Sequence, residues 1–181
     1  MKVVEIIKIL RNGGIGVIPT DTIYGLVGSA LSRRAVERIY RLRKRDRRKP
    51  FIVLIGSLAD LGKFGVKVNE RHLKLLKTLW PVRQVQGKPG PVSVILPCPN
   101  RKFFYLHRGT KSIAFRLPND RKLTSLIRNT GPLVAPSANF SGKPPAKTVV
   151  EAKRYFGNKV DFYLDGGRLA GAPSTLVEVK R

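Results

Sequence analysis

The sequence predicts one α/β domain, a twisted, open, mixed sheet with flanking helices. Three observations carry this expectation. Eight short apolar, β-branched runs punctuate the chain: "IGVIP", "LVGSA", "FIVLIG", "PVSVILP", "SIAFRLP", "PLVAP", "FYLDGG" and "STLVEV". Each has the length and composition of a strand. Stretches of helical periodicity are interspersed among them. Some of the runs adjoin without a helix between, which requires antiparallel neighbours as well as parallel ones.

The helices are readable from their stripes and caps. Val3 to Leu10 is periodic and is closed by Gly13 and Gly14. Arg33 to Arg43 follows Ser32, a hydroxyl suited to the N-cap. Glu70 to Leu79 follows Asn69, and Arg121 to Ile127 follows Asn119 and Asp120. A fifth helix opens at Thr148, where Glu151 stands three residues on and completes a capping box. "WPVRQVQGKPGP", residues 80 to 91, has three prolines, two glycines and no periodicity, and reads as a loop carrying Arg83 and Lys88.

Bulk composition narrows the function. The 181 residues fit one domain and contain 42% hydrophobic residues, enough for a core. No apolar run approaches the roughly 20 residues of a membrane helix. The N-terminus carries Glu5 and Lys8 within its apolar stretch, so it reads as an amphipathic helix rather than a signal peptide. The single cysteine, Cys98, excludes an internal disulfide framework and a cysteine-based zinc cluster. The expected compartment is cytoplasmic, with no resident metal site and no membrane contact. Charge is the outlier: 36 Lys and Arg against 11 Asp and Glu leave +25. Such a field attracts polyanions, among them nucleic acid, without saying which anion is bound.

Four polar clusters interrupt the strands. In "PTDTIYGL" (19 to 26), an extended chain puts Thr20 and Thr22 on one side. A turn in which Thr and Asp tie down backbone groups accounts for the same residues. "SIAFRLP" alternates, with Ser112, Ala114 and Arg116 on one face; an arginine beside small residues leaves room for an anion to reach its forked donors. "APSANFSGKPPAK" (135 to 147) repeats the i, i+2 spacing in Ser137 and Asn139 and leads to a helix N-terminus, where anions are favoured. A capping loop explains it equally. "APSTLVEV" puts Ser174 at the start of the last strand.

"RLRKRDRRKPF" (41 to 51) holds seven basic side chains. Arg43 lies four residues after Ile39 and seven after Val36, on the apolar stripe, and so points inward. Arg45 lies beyond the helix, which Pro50 is expected to end. The remaining arginines read as solvated surface, favoured near a helix C-terminus.

In this order, "PTDTIYGL", the basic run before "KPF", "PGPVSVILP", "SIAFRLP", "PSANFSG" and "PSTLVEV" resemble the YrdC-like family of threonylcarbamoyl-adenylate synthases. The resemblance runs from about Val3 to Val179. It implies an open sheet around a basic concave cavity, in the short single-domain form with no C-terminal extension domain. It implies a nucleotidyltransferase that condenses L-threonine, bicarbonate or CO2 and ATP, with Mg²⁺ carried mainly on the ATP phosphates. The product would pass to a threonylcarbamoyl transferase complex that modifies tRNA beside the anticodon. Carried over onto this sequence, Arg43 and Arg45 take the catalytic positions. Arg45, Lys49, Ser112, Asn139 and Lys147 fall to ATP, and Thr20, Thr22, Arg116, Ser137 and Ser174 to L-threonine. Departures from the family pattern are Arg43 for a lysine, Asp46 for a frequent proline, Leu54 at an often polar position, Lys147 for a small polar residue, and the longer 80–91 segment. The alternative use of the charge is a catalytically inactive relative that binds tRNA or double-stranded RNA directly. A carbamoyl-phosphate-handling relative would need zinc-finger cysteines that this chain lacks.

Overall fold

A computed structural model describes residues 1–80, 91–171 and 174–178. All eight expected strand regions contribute: β1 (Ile15–Pro19), β2 (Tyr24–Ser29), β3 (Val53–Leu54), β4 (Val92–Pro97), β5 (Ser112–Arg116), β6 (Leu133–Val134), β7 (Phe162–Tyr163) and β8 (Thr175–Glu178). They form one sheet in the order β7-β1-β2-β6-β3-β5-β4-β8. The sheet is mixed. The β1–β2, β2–β6, β3–β6 and β4–β5 pairs are antiparallel; β1–β7, β3–β5 and β4–β8 are parallel.

The helices are α1 (Val3–Arg11), α2 (Arg33–Arg43), α3 (Glu70–Leu79), α4 (Phe104–His107), α5 (Arg121–Thr130) and α6 (Val149–Phe156). Apolar side chains lie on both sheet faces, as period-two alternation requires. On one face Val17, Tyr24 and Leu26 join Ile39 and Tyr40 of α2 and Phe156 of α6. On the other, Ile18, Val27 and Leu54 meet Leu10 of α1 and Ile127 of α5. Close approach across β1–β7 depends on Gly16, where a Cβ would collide with the Phe162 ring.

Local chemistry refines several boundaries. Val53 and Leu54 are the paired residues of "FIVLIG", and one hydrogen bond follows on each side, from the Ala135 N–H to the Ile52 carbonyl and from the Ile55 N–H to the Arg116 carbonyl. Helix α2 ends at Arg43, well before Pro50. Lys44 adopts a left-handed conformation (φ 51°) and its N–H closes on the Tyr40 and Arg41 carbonyls. This C-cap ends the helix, so the role expected of Pro50 is not needed. The Thr148 hydroxyl accepts from the Glu151 N–H at 3.2 Å, but the Glu151 carboxylate accepts from the Lys147 N–H rather than from Thr148, so the capping box is only half formed. Two pieces carry no clear sequence signal: a 3₁₀ helix over Leu58–Phe64, and the 3₁₀ turn Arg101–Phe103 that runs into α4. Residues 81–90 of the proposed loop, and Val179 of the last strand, lie outside the described residues.

Candidate active-site cleft

The β1–β2 connection is built around one hydroxyl. Thr20 Oγ donates to the Ile23 carbonyl at 2.6 Å and accepts from the Thr22 and Ile23 N–H groups, each at 3.3 Å. Its single proton is thereby used, so in the 3.0 Å contact between the two hydroxyls Thr22 is the donor. Thr22 Oγ then faces Arg116 as an acceptor, with Nη1 at 3.4 Å. The connection is therefore a turn rather than an extended chain, and the turn is what brings the two hydroxyls together.

Arg116, at the end of β5, is 5% exposed. Its Nη2 donates to the Asp21 carboxylate, and its Nε is buried without a partner. Asp21 is the site residue that sequence reasoning missed. It reads as a turn former because its partner lies 95 positions away. The only available signal was a carboxylate between two threonines. Gly171 holds a second strand of chain against this connection, since a Cβ there would overlap the Thr22 carbonyl. The hydroxyl of buried Tyr24 secures the same segment. It donates to the Gly167 carbonyl at 2.7 Å and accepts from the Gly166 N–H at 2.9 Å. Just beyond, Ser174 Oγ meets Ser93 Oγ of β4 at 2.8 Å.

The basic run splits as its helical phase requires. Arg43 is 3% exposed and is bonded through Nε and Nη2 to the "PSANFSG" segment. Its Nε donates to the Asn139 carbonyl at 3.1 Å, and its Nη2 donates to Ser137 Oγ at 3.0 Å and to Asn139 Oδ1 at 2.9 Å. Burial, and then neighbouring Arg45, push its pKa down to about 10, which leaves it cationic at neutral pH. Asn139 Nδ2 donates to the Phe140 carbonyl at 2.9 Å and to the Lys143 carbonyl. Arg45 is half-buried; it donates to the Lys49 and Pro50 carbonyls and lies over the Phe51 ring at 5.3 Å. Phe51 in turn stacks on Tyr40 at 4.0 Å, which fixes the path from α2 to β3. Arg48 is exposed and pairs only with Asp46.

A cleft of about 220 Å³ opens among these groups; Asp21 stands behind its wall, against Arg116, rather than in its lining. Thr20, Thr22, Arg116 and Ser174 line it together with Arg43, Arg45 and Ser137, with Ile52, Leu54 and Ala135 as apolar surface. Leu54, the departure at an often polar position, therefore faces the cleft. Asn139 is buried beneath the wall, held by Arg43. Ser112 starts β5, beside Thr110, while Lys49 and Lys147 are exposed; these three do not line the cleft.

The chain is similar to known proteins over nearly all of its length. The model of the Sua5, YciO and YrdC family, described as "Telomere recombination", matches residues 8–181. A threonylcarbamoyl-AMP synthase from Pyrococcus abyssi is 31% identical over 172 residues, covering 94% of this chain and 48% of that protein. One from Bacillus subtilis is 30% identical and covers 97% and 49%. One from Methylobacillus flagellatus is 32% identical and covers 94% and 91%. The chain thus spans about half the length of the first two relatives. Among solved structures, P. abyssi Sua5 complexed with L-threonine superposes with TM-score 0.82 at 28% identity, covering 98% of this chain and 50% of that one. Escherichia coli YciO gives 0.79 at 25%, covering 99% and 84%. On the family match and on the ordered motifs that build the cleft, this chain belongs to the Sua5/YciO/YrdC family.

Proposed function

We propose that the protein is a threonylcarbamoyl-adenylate synthase, joining L-threonine, bicarbonate and ATP into the adenylate, pyrophosphate and water. The observation that carries this reading is one cleft holding two arginine centres. Arg116 stands beside Thr20 and Thr22, and Arg43 with Arg45 stands beside Ser137. The relative solved with L-threonine supports an amino acid at the first centre. Curated relatives named threonylcarbamoyl-AMP synthase support the reaction.

The chemistry needs charge and position more than acid–base groups. Threonine's amine forms a carbamate, and a carbamate oxygen attacks the α-phosphate as pyrophosphate leaves. Both partners are anions, and their repulsion grows as water is excluded. Fixed guanidinium groups offset it and stabilise the charge that develops on the transferring phosphoryl group. Arg45 has the exposure to reach a phosphate. Arg43 acts from within, holding Ser137 and Asn139 in place. Small-molecule sites usually enclose roughly 300–1,000 Å³. The smaller cleft suits an amino acid and the reacting end of a nucleotide, with the rest of ATP extending toward Lys49, Ser112 and Lys147. Mg²⁺ would be carried mainly by the ATP phosphates, whose hard oxygens suit it. A separate transferase would consume the adenylate for tRNA modification in the cytoplasm. No described helix is long and apolar enough to cross a membrane.

Direct RNA contact is the second reading. Exposed Arg33, Arg34, Arg41, Lys44, Arg47 and Arg48 lie outside the cleft and support it. Purified protein incubated with ATP, Mg²⁺, bicarbonate and labelled threonine tests the first reading. Threonine-dependent pyrophosphate is expected; its absence at every salt and temperature tried rejects the enzyme and leaves the RNA reading.

A further inference from the structure

The contact between Arg116 and Asp21 gives the cleft a property beyond holding a carboxylate. An arginine presents Nε and Nη2 as a side fork that matches both oxygens of one carboxylate. Here Asp21 takes Nη2 alone, Thr22 sits at 3.4 Å from Nη1, and Nε is buried with no acceptor. The fork is half used. Asp21 is only 12% exposed and Arg116 only 6% by side chain, so neither charge is well solvated. Each needs a counter-charge whatever else binds.

We propose that Asp21 occupies the place of a substrate carboxylate on Arg116, and on substrate binding yields that place and receives the substrate's α-ammonium. The inference deepens the reading of this cleft as an amino-acid site and rests on it. Charge balance gives it content. Taken by itself, the Arg116–Asp21 pair is one buried cation and one buried anion and is neutral, while Arg43 and Arg45 stand further along the cleft. A zwitterionic amino acid exchanges that pair for two pairs and leaves the charge balance around Arg116 unchanged. Its carboxylate takes both Nε and Nη2, which satisfies the idle donor, and its ammonium, two bonds from the carboxylate, meets the displaced Asp21. A hydroxy acid without the amine would leave Asp21 unpaired beside a second carboxylate. An amino amide without the carboxylate would add a cation and leave Nε idle. Asp21 is therefore a specificity-determining residue that selects zwitterions.

Calorimetric titration tests this with three probes of nearly one shape: L-threonine, 3-hydroxybutyrate and L-threoninamide. For the natural protein each analogue is expected to bind at least about 10-fold more weakly than threonine, the worth of one hydrogen-bonded charge. In Asp21→Asn the Arg116 cation has lost its counter-charge and no carboxylate waits for the ammonium, so the preference for threonine over 3-hydroxybutyrate is expected to shrink at least about 10-fold. If 3-hydroxybutyrate binds the natural protein within about 3-fold of threonine, Asp21 does not select the ammonium and the inference fails while the amino-acid site stands. If the preference is unchanged in a folded Asp21→Asn protein, the inference fails in the same way. If threonine does not bind at all, the amino-acid reading itself falls. Should Asp21→Asn not fold, the three titrations of the natural protein still decide.

Discussion

Replacing Arg43 by methionine keeps the apolar stem and removes the donors. Three acceptors then lose their partner: the Asn139 carbonyl at 3.1 Å, Ser137 Oγ at 3.0 Å and Asn139 Oδ1 at 2.9 Å. A buried acceptor left unsatisfied costs about 1–3 kcal/mol. The three belong to one network and do not add, and the desolvation cost of the guanidinium is recovered. The net loss should be about 3 kcal/mol. For a chain of this length, 1 kcal/mol moves Tm by about 2–4 °C, so Arg43→Met should lower Tm by about 6–12 °C. Scanning calorimetry or urea denaturation reads this directly. Arg43→Lys, which keeps the charge but lacks the fork, should fall between the two. A Tm change below about 2 °C for Arg43→Met would refute the reasoning, because it would mean that Arg43 does not hold the Ser137–Asn139 segment.

Four further outcomes are expected. Arg116→Ala should abolish threonine-dependent pyrophosphate release, whereas Arg48→Ala, which loses only the Asp46 pair, should change it little; equal losses would contradict the division between cleft and surface charge. Gly171→Ala should raise KM for threonine more than it lowers kcat, since the new methyl group pushes against the Thr22 carbonyl; an unchanged KM would count against that packing. Ser93→Ala should weaken threonine binding about 5-fold through loss of the 2.8 Å contact that positions Ser174, and titration checks it. Burial raises the Asp161 pKa, but hydrogen bonds from Arg38 and the Ile15 N–H more than offset it, so the carboxylate is held below its ordinary value. Its folded-state pKa is therefore the lower one. Its stabilisation is present above the unfolded value of about 3.9 and is lost as pH falls through the folded value. Asp161→Asn should flatten the acid limb of stability against pH.

Much of the cleft was legible because its parts follow local rules. The turn reading of "PTDTIYGL" describes the connection, with Thr20 tying down the backbone of Thr22 and Ile23, and Arg43 turns inward through helical phase; both needed only a few residues of context. The caps at Ser32, Asn69, Asp120 and Thr148 are equally local, and each side chain accepts from the first turn of its helix. Other features depend on contacts distant in sequence. Asp21 looks like any turn aspartate until Arg116 is brought beside it. Lys44 ends α2 through a left-handed conformation that no glycine announces. Asn139, with its motif in plain view, spends its side chain on Arg43 and two carbonyls rather than on the open cleft, which only the folded backbone reveals.

The central claim is that one cleft binds an amino acid at Arg116 and brings it to a nucleotide beside Arg45. Pyrophosphate release from ATP, measured with threonine and bicarbonate each present or withheld, tests it most directly. Release that requires both, and that disappears in Arg116→Ala, is the predicted result. Release that proceeds without threonine, or no release with all substrates present, would contradict it.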